Sequence, residues 1–415
     1  MKSKLERPRV LLVAATTGYQ SRAFVDAATS VGVSVSLATD RCHILDDPWG
    51  DHAYALRFED PEGSAETLAA TGEHWDGIIA VGDRPAYVAS VAAARLGLPF
   101  HPPEAVAASG NKLMARELFR RAGLPVPAYF AVPLETKPLE AAARAHFPCV
   151  LKPLGLSGSR GVIRANNSAE FVSAFERIRA LLHLPDIRRT ARPQDSLIQI
   201  EQFIPGREFA LEGIMTAGAL RVLALFDKPD PLDGPFFEET IYATPSREPG
   251  PVQQSIIEAA ASAARALGLR HGPVHAEMRV NEAGAWMLEI AARPIGGLCA
   301  RVLPGLEALI VRHAAGMPPG DIALEGRSAG VMMVPIPQGG IYAGVSGVEE
   351  AAAVAGIDDV IITAKEGQAL IPLPEGSSYL GFLFARAPAP ADVETALRSA
   401  HAKLRFEIRT ALPVL

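Results

Sequence analysis

Two glutamates and an arginine occur at a spacing that a short antiparallel hairpin would turn into one site. Residues 274–297 read VHAEMRVNEAGAWMLEIAARPIGG, which contains two strand-like runs separated by a polar segment with a glycine. A regular hairpin centred on Ala283 places Glu277 directly opposite Glu289. Opposed carboxylates repel each other by up to about 1 kcal/mol, and a divalent cation between them would offset this repulsion. Because Mg²⁺ prefers oxygen ligands, the pair predicts a magnesium site, with Arg293 placed to bind an anion beside it.

Strand alternation assigns the other residues of this hairpin to two faces. One face carries the charged residues, in the set His275, Glu277, Arg279, Met287, Glu289, Ala291 and Arg293. The other face is wholly apolar and is predicted to face the core, with Ala276, Met278, Val280, Trp286, Leu288 and Ile290. A slip of one residue would bury the charges, so the pattern fixes the register. The alternative is a solvated sheet face with charges of both signs and, for His275, a structural role rather than proton transfer.

A lysine followed by a loop of small residues is a second candidate for anion binding. Lys152 lies near the end of the predicted strand 147–153, and the loop 155–162 that follows reads GLSGSRGV. Such a loop presents backbone N–H groups to a polyanion, and the lysine adds an ammonium group. The order differs from that of a P-loop, in which the lysine follows the glycines. The alternative is a flexible turn without a ligand.

A strand-like run before a sharp turn offers a surface for a flat base. Residues 196–204 and 207–213 read as strands on either side of a Pro-Gly turn. A base could lie against Phe203 and Ile204, with backbone groups at its edge and Glu208 at a sugar hydroxyl. The alternative is an ordinary hairpin that carries two surface acids.

The polar, proline-rich stretch 226–240 follows, and it contains three aromatic residues. Segments of this kind often carry function. We expect it to cover a second substrate, with Glu238 or Glu239 as the partner of an ammonium group. The alternative is a disordered surface excursion.

The elements that must position these residues begin with an α/β unit at 1–103. An apolar run at 9–14, typical of a buried parallel strand, precedes a turn at 16–19 and alternating helical and strand-like segments. The turn contains only Gly18 and lacks GxGxxG, so a dinucleotide oxidoreductase is poorly supported. Asp40 follows the second strand and is expected to be a solvated loop residue.

Helices are predicted on both sides of the candidate site residues. One spans 104–122 and carries Lys112, and a final helix spans 390–408. Residues 325–415 otherwise alternate strands and helices. They are predicted to form a small α+β domain without a catalytic constellation.

The overall composition limits the class of protein. The chain has 415 residues, 49% of them hydrophobic, and a formal net charge of −6 without a long Lys/Arg run, which argues against a nucleic-acid surface. No apolar run reaches about 18 residues, so no membrane span is expected. Cys42, Cys149 and Cys299 are far apart and form no CxxC, which indicates a reducing compartment and no thiolate metal site. We therefore expect a cytoplasmic protein, with a homodimer as the commonest assembly.

These motifs occur in the order seen in ATP-grasp ligases, which the chain resembles over roughly residues 1–330. The resemblance implies ATP held between two α+β subdomains, with Lys112 and Lys152 at its phosphates. The covering loop would contribute Ser157, Gly158, Ser159 and Gly161. The segment that would contact adenine through its backbone consists of Glu201, Gln202, Phe203 and Ile204. Glu208 would contact the ribose.

The resemblance also assigns the residues of the central hairpin. Glu277 and Glu289 are implied to be catalytic and to hold Mg²⁺ (or Mn²⁺), and Arg293 is implied to stabilise the transferring phosphoryl group. Many ATP-grasp enzymes have Asn at the position of Ala291, so a possible metal-ligand oxygen is missing here. The form Glu-x-Ala-Ala-Arg-Pro-x-Gly-Gly resembles the branch of L-amino-acid ligases, the bacterial dipeptide synthases.

On this resemblance the fold class is α/β and α+β. The chain would comprise a doubly wound α/β pre-ATP-grasp domain (1–103), an ATP-grasp domain (104–324, lid subdomain about 125–200) and a C-terminal α+β domain (325–415). The implied function is ATP-dependent ligation of a carboxylate to an amine through an acyl phosphate, with amino acids as expected substrates and ADP and phosphate as further products. The alternatives are ligation of another metabolite carboxylate, such as one of the purine pathway, and a nucleotide-binding regulatory module.

Overall fold

The structure is a computed structural model. It describes residues 7–16, 20–40, 53–189, 191–322 and 327–410. Most of the turn predicted at 16–19, and Cys42, lie outside the described residues.

Strands and helices alternate through most of the described chain. The strands are β1 (Arg9–Ala14), β2 (Ser34–Thr39), β3 (Tyr54–Ala55), β4 (Gly77–Val81), β5 (Tyr129–Pro133), β6 (Cys149–Pro153), β7 (Ile163–Ala165), β8 (Leu197–Gln202), β9 (Arg207–Thr216), β10 (Ala219–Lys228), β11 (Ile241–Thr244), β12 (Gly272–Asn281), β13 (Gly284–Ala291), β14 (Ser328–Val334), β15 (Gly340–Ser346), β16 (Ile357–Ile362), β17 (Ala369–Leu370), β18 (Gly381–Ala387) and β19 (Arg405–Arg409). The α-helices are α1 (Ser21–Ser30), α2 (Pro61–Ala70), α3 (Asp83–Leu96), α4 (Pro103–Ser109), α5 (Lys112–Arg121), α6 (Pro138–Ala142), α7 (Ser168–Leu182), α8 (Pro185–Arg188), α9 (Gly250–Leu267), α10 (Leu306–Ala314), α11 (Val348–Ala352) and α12 (Pro390–His401).

The N-terminal part is a parallel sheet with helices on both faces. Its strand order is β3-β2-β1-β4. Along β1, Val10 and Leu12 lie in the core that contains Phe24 of α1, whereas Leu11 and Val13 lie in the core that α2 and α3 complete. The predicted doubly wound α/β arrangement is therefore confirmed. It follows from an apolar run in which successive residues point to opposite faces.

The single helix predicted at 104–122 is wrong, because the chain breaks at Gly110. Asn111 begins a new helix, and its side-chain oxygen accepts hydrogen bonds from the N–H groups of Leu113 and Met114, both at 3.1 Å. Asparagine is a preferred N-cap for this reason. The cap places Lys112 at the first residue of α5.

A four-stranded antiparallel sheet, ordered β5-β8-β6-β7, forms a separate layer around residues 129–202. Helix α7 buries Phe171, Phe175 and Ile178 against it. We call this layer the lid sheet.

The largest sheet has the order β13-β12-β9-β10-β11-β14-β18-β16. Helix α9 packs on one face, and α10 together with the N-terminal sheet packs on the other. The hairpin alternative for 196–213 is wrong, because β8 belongs to the lid sheet and β9 to this central sheet. The chain therefore passes from one layer to the other at Pro205 and Gly206. Gly206 has a φ of +124°, and an added Cβ would lie 2.3 Å from the carbonyl oxygen of Val280, so this crossing requires glycine.

The last part of the chain divides between two sheets. Strands β14, β18 and β16 extend the central sheet, whereas β17, β15 and β19 form a three-stranded sheet. The final helix predicted at 390–408 is wrong beyond His401, since residues 405–409 form β19 and pair with β15. Phe406 and Ile408 alternate with exposed charged residues there, which is a strand pattern. Among the described residues, no helix has the length and apolarity needed to cross a bilayer.

Candidate functional site

A cavity of about 400 Å³ lies where the lid sheet, the central sheet and residues 374–379 meet. We call residues 374–379 the C-terminal segment. Most of the residues predicted for the site line it: Lys112, Lys152, Ser157, Gly158, Ser159, Glu201, Gln202, Phe203, Ile204, Glu208, Glu277, Glu289 and Arg293. Gly161 does not line the cavity, and its N–H group donates to the carbonyl oxygen of Pro374 at 2.8 Å. Motifs up to 181 positions apart, from Lys112 to Arg293, thus converge on one space.

The central hairpin brings its two carboxylates face to face. Glu277 pairs with Glu289 in the β12–β13 register, as predicted. The regular register then ends, because Met278 pairs with Met287 and Leu288 forms a bulge. The faces predicted for β13 on the turn side of the bulge are therefore wrong: Met287 is 1% exposed and lies in the core, whereas Leu288 lines the cavity. One extra residue in β13 inverts the alternation there.

A buried lysine that sequence reasoning missed occupies the centre of the acidic groups. The ammonium nitrogen of Lys228 lies 2.9 Å from Glu208 Oε1, 2.5 Å from Glu239 Oε1 and 3.1 Å from Glu277 Oε1. Oxygen atoms of these three carboxylates lie within 4.8 Å of one another. Burial lowers the pKa of Lys228, but the carboxylates outweigh burial and raise it well above its usual value. The only signal in the sequence was the charged pair Asp227 and Lys228 at the end of the apolar run 222–226.

The carboxylates around Lys228 differ in their affinity for protons. Burial raises the pKa of Glu277, but Lys228 and His275 outweigh it and hold that pKa well below its usual range. Burial and the neighbouring Glu277 raise the pKa of Glu239 to about 7. The Tyr242 hydroxyl is 2.8 Å from Glu239 and 3.0 Å from Glu277 and hydrogen-bonds to this pair.

His275 lines the cavity and lies between two acids. Its Nδ1 is 3.1 Å from Glu212 Oε2, and its Nε2 is 3.5 Å from Glu277 Oε1. Burial lowers the pKa of His275, but the two carboxylates outweigh burial and raise it to about 9. Glu212 is fully buried and also accepts hydrogen bonds from the Ile295 N–H at 3.1 and 3.2 Å. Because each ring nitrogen of His275 faces a carboxylate, the geometry favours a structural role for this imidazole.

The two lysines predicted to bind phosphate are both oriented by the protein. Lys112 donates to the carbonyl oxygen of Leu156 at 2.6 Å, which ties α5 to the small-residue loop. Lys152 donates to Glu201 Oε2 at 2.6 Å, and Glu201 Oε1 accepts from Arg116 Nε at 2.6 Å. Burial raises the pKa of Glu201, but Arg116 and Lys152 outweigh it and keep the group ionised. Both oxygens of the Glu201 carboxylate are therefore engaged by cationic side chains.

The small-residue loop is held from above by the C-terminal segment. Gly158 and Ser159 have φ values of +62° and +55°, a conformation that glycine adopts freely and serine rarely. Arg160 Nε donates to the carbonyl oxygen of Glu375 at 2.7 Å, and Arg177 forms a bidentate pair with the Glu375 carboxylate at 2.8 and 2.9 Å. These contacts fix the shape of the loop over the cavity.

The other end of the cavity is aromatic. The rings of Phe203 and Phe237 stack with centroids 6.5 Å apart. The Ile204 carbonyl oxygen accepts from Arg279 at 2.9 Å, and Arg279 also donates to Glu208 Oε2 at 3.1 Å. Within the described chain, the Ile204 N–H has no hydrogen-bond partner. An unpartnered backbone donor beside an aromatic wall suits the edge of a flat base.

Arg293 connects the site to the N-terminal sheet. Its Nε donates to Asp83 Oδ1 at 2.6 Å, and Asp83 begins α3. Burial raises the pKa of Asp83, but Arg293 outweighs it and lowers that pKa below its usual value. Nothing in the local sequence around Asp83 indicated this contact across 210 positions.

The donors in the cavity fit a nucleoside triphosphate with a divalent cation. The ammonium groups of Lys112 and Lys152 line the cavity together with the small-residue loop. The opposed Glu277 and Glu289 carboxylates provide oxygen ligands. The aromatic wall and the Ile204 N–H, which has no partner among the described residues, would suit the flat base of such a ligand.

Comparison with known protein families agrees with this arrangement. A family model described as the ATP-grasp domain matches residues 145–302, and one described as L-amino acid ligase C-terminal domain 2 matches residues 332–409. The first match contains the small-residue loop and the β12–β13 hairpin, and the second contains the C-terminal segment that holds this loop. The mixed α/β fold class predicted from the sequence is confirmed.

Individual relatives are distant in sequence but similar in fold. The crystal structure of an L-amino acid ligase from Bacillus licheniformis aligns over 98% of this chain and 100% of that chain, with a TM-score of 0.78 and 22% identity. An N5-carboxyaminoimidazole ribonucleotide synthetase solved as an ADP complex aligns over 95% and 96%, with a TM-score of 0.70 and 16% identity. Carnosine synthase 1 of Gallus gallus is 28% identical over 83% of this chain and 40% of its own length. The chain spans 40 to 64% of the length of the first curated relatives it matches. By these matches, residues 145–302 form an ATP-grasp domain and residues 332–409 match the C-terminal domain 2 of L-amino acid ligases, and the fold is similar to that of a solved L-amino acid ligase.

Proposed function

We propose that this protein is an ATP-dependent carboxylate–amine ligase that joins amino acids and releases ADP and phosphate. The observation that carries the proposal is the convergence, in one cavity, of a lysine pair, a small-residue loop and two opposed carboxylates. The presence of Lys152, Glu277, Glu289 and Arg293 together in this cavity argues against a module that binds nucleotide only for regulation. The names of the relatives, an L-amino acid ligase and a carnosine synthase, support amino acids as the substrate class.

Each group in the cavity has a proposed role. Lys112 and Lys152 bind the ATP phosphates under the loop that contains Ser157, Gly158 and Ser159. The backbone of residues 201–204 binds adenine, and Glu208 binds the ribose. Glu277 and Glu289 hold Mg²⁺, which neutralises phosphate charge when bound.

The reaction proceeds in two displacements. A substrate carboxylate oxygen attacks the γ-phosphorus of ATP, and the bond to ADP breaks, which gives an acyl phosphate and ADP. The amine then attacks the acyl carbon, an oxyanion forms, and phosphate leaves as the amide is made and the amine loses a proton. Arg293 stabilises the negative charge that develops in both steps. Glu239 lines the cavity and is the proposed partner of a substrate ammonium group.

A screen for product release tests the proposal. ADP and phosphate are measured with Mg-ATP and the twenty amino acids, singly and in pairs, with Glu289→Gln as the blank. We expect release only with particular amino acids, and a loss of about two or more orders of magnitude in the variant, because it removes a charged metal ligand. Turnover by Glu289→Gln near that of the wild type would contradict the metal assignment. Release only with other carboxylates, such as those of the purine pathway, would favour the second candidate, which the synthetase-like fold also allows.

The division of the chain rests on the same proposal. We infer domains at 1–103, 104–324 and 325–415, with a lid at about 125–200, and the matched segments 145–302 and 332–409 fall within the second and third. A homodimer remains a prediction, which size-exclusion chromatography with light scattering tests.

A further inference from the structure

A buried arginine below the cavity contacts both halves of the proposed nucleotide site. Arg116 lies on α5 and is 2% exposed. A guanidinium group in such a place must have its donors satisfied, because burying an unpaired charge is costly. Its Nε donates to Glu201 at 2.6 Å, and its two terminal nitrogens donate to the carbonyl oxygens of Met287 at 2.6 Å and Leu288 at 3.4 Å.

The Glu201 contact leads to the phosphate-binding side. One carboxylate oxygen of Glu201 faces Arg116, and the other accepts from the Lys152 ammonium at 2.6 Å. Glu201 is also buried, so neither partner can be replaced by solvent. The position of the Lys152 ammonium in the cavity is thus set through Glu201 by Arg116.

The carbonyl contacts lead to the metal-binding side. Met287 and Leu288 immediately precede Glu289, and Leu288 is the bulged residue that has no pairing partner on β12. A bulge interrupts the ladder hydrogen bonds of its strand, and Arg116 supplies donors at this interruption. The bulge is also what sets Glu289 across from Glu277 while Met287 points into the core.

We propose that Arg116 is a positioning residue that fixes the distance between the Lys152 ammonium and the Glu277–Glu289 carboxylate pair. The inference rests on the proposed function only in taking Mg-ATP as the ligand of this cavity. Arg116 touches no ligand itself. Its planar fork is suited to hold a carboxylate and two carbonyl groups at once, which a lysine does not do.

Nucleotide binding, measured by calorimetry without any other substrate, tests this role. The variants are Arg116→Lys, Arg116→Met and Glu201→Gln, and the matched control is Arg120→Met, which removes an exposed arginine from the same helix. The ligands are Mg-ATP, which reaches both halves of the site, and AMP, which lacks the β- and γ-phosphates. We expect each test variant to bind Mg-ATP about tenfold more weakly and AMP with nearly wild-type affinity, and the control to bind both normally.

Two results would overturn the inference. One is Mg-ATP affinity in Arg116→Lys and Glu201→Gln within about twofold of the wild type. The other is an equal loss of affinity for Mg-ATP and AMP, which would show a general packing role. If Arg116→Met does not fold, as judged by circular dichroism, the other two variants decide. Because no amine or carboxylate substrate is present, absence of ligase activity in the wild type would leave this result intact and count only against the proposed function.

Discussion

At the scale of single residues, the site depends on charges that neutralise one another inside the protein. Lys228 contacts Glu208, Glu239 and Glu277. Its charge is what allows three carboxylates to lie together in a place that is mostly closed to water. Removing one member of a buried ionic group leaves the others uncompensated, which costs more than the pairing itself contributes.

The Lys228→Met variant should therefore lose stability. We expect the free energy of unfolding to fall by about 3 kcal/mol, measured by urea denaturation. Adding Glu239→Gln should restore part of this loss, because it removes one of the repelling charges. Lys137→Met is the control, since the Lys137 side chain is 81% exposed and its partner in the described part of the chain is the surface residue Glu140. A change below about 1 kcal/mol in Lys228→Met would show that the carboxylates do not need this ammonium.

The residue scale also shows what the sequence could predict. The opposition of Glu277 and Glu289 was predicted from alternation around a turn centred on Ala283. The observed turn is one residue shorter, and the bulge in β13 restores the predicted opposition. Arg116 was not assigned, because its partners are distant: it meets Met287 across 171 positions. Lys228 was not assigned, because its contact with Glu208 depends on the pairing register of β9 and β10. A buried cation has no signature of its own in a sequence, since it differs from a solvated one only by its surroundings.

At the scale of elements, the errors arose where a local pattern had two solutions. The bulge at Leu288 was hidden because leucine suits either face of the hairpin. The strand 405–409 was taken as helix because the segment before it is strongly helical. The 196–213 segment has the appearance of a hairpin, and only the pairing of its two strands with different sheets shows that it is a crossing between layers.

The C-terminal segment gives an element-scale prediction. Glu375 joins it to the lid through Arg177. Because this pair is partly exposed, Glu375→Ala should change the free energy of unfolding by less than about 1 kcal/mol. The variant should nevertheless loosen the segment whose backbone carbonyl oxygens accept from Arg160 and Gly161, so tryptic cleavage at Arg160 should become faster. Limited proteolysis followed by mass spectrometry measures the rate.

A matched variant controls for the loss of a surface ion pair. Asp321→Asn removes a carboxylate that pairs with Arg221, another exposed arginine. Both residues are far in sequence from the small-residue loop. This variant should leave cleavage at Arg160 unchanged. Equal cleavage rates in Glu375→Ala and the wild type would mean that the C-terminal segment does not hold the small-residue loop.

At the scale of the whole molecule, the N-terminal sheet is bound to the rest of the chain through polar contacts at two places. Asp83 reaches Arg293 in the site. On the other side, His101 follows the N-terminal unit, and its Nε2 lies 3.1 Å from the Pro273 carbonyl oxygen while Nδ1 accepts from the Arg270 N–H at 3.0 Å. This geometry requires the neutral imidazole, because Nδ1 must accept.

The His101 contact predicts a dependence of stability on pH. Burial lowers the pKa of His101 from 6.5 to about 4. The unfolded chain therefore binds the proton more readily between these values, so the contribution of His101 is complete above pH 6.5 and is lost as the pH falls to 4. The expected loss is up to about 3 kcal/mol in the free energy of unfolding.

Urea unfolding at several pH values measures this effect. His101→Gln, which has a donor and an acceptor but no titration, should lose less stability between pH 6.5 and 4 than the wild type. His74→Gln is the control, since the His74 side chain is 88% exposed. Parallel curves for His101→Gln and the wild type would show that His101 does not carry the dependence.

The central claim is that one cavity activates a carboxylate by phosphorylation and passes it to an amine. Its most direct test uses an amino acid identified in the product screen, with ¹⁸O in its carboxylate, and mass spectrometry of the phosphate released. The two displacements transfer one carboxylate oxygen to phosphate in each turnover, so we predict phosphate with a single ¹⁸O and an amide that keeps the other. Unlabelled phosphate from a reaction that forms the amide would contradict the acyl-phosphate route.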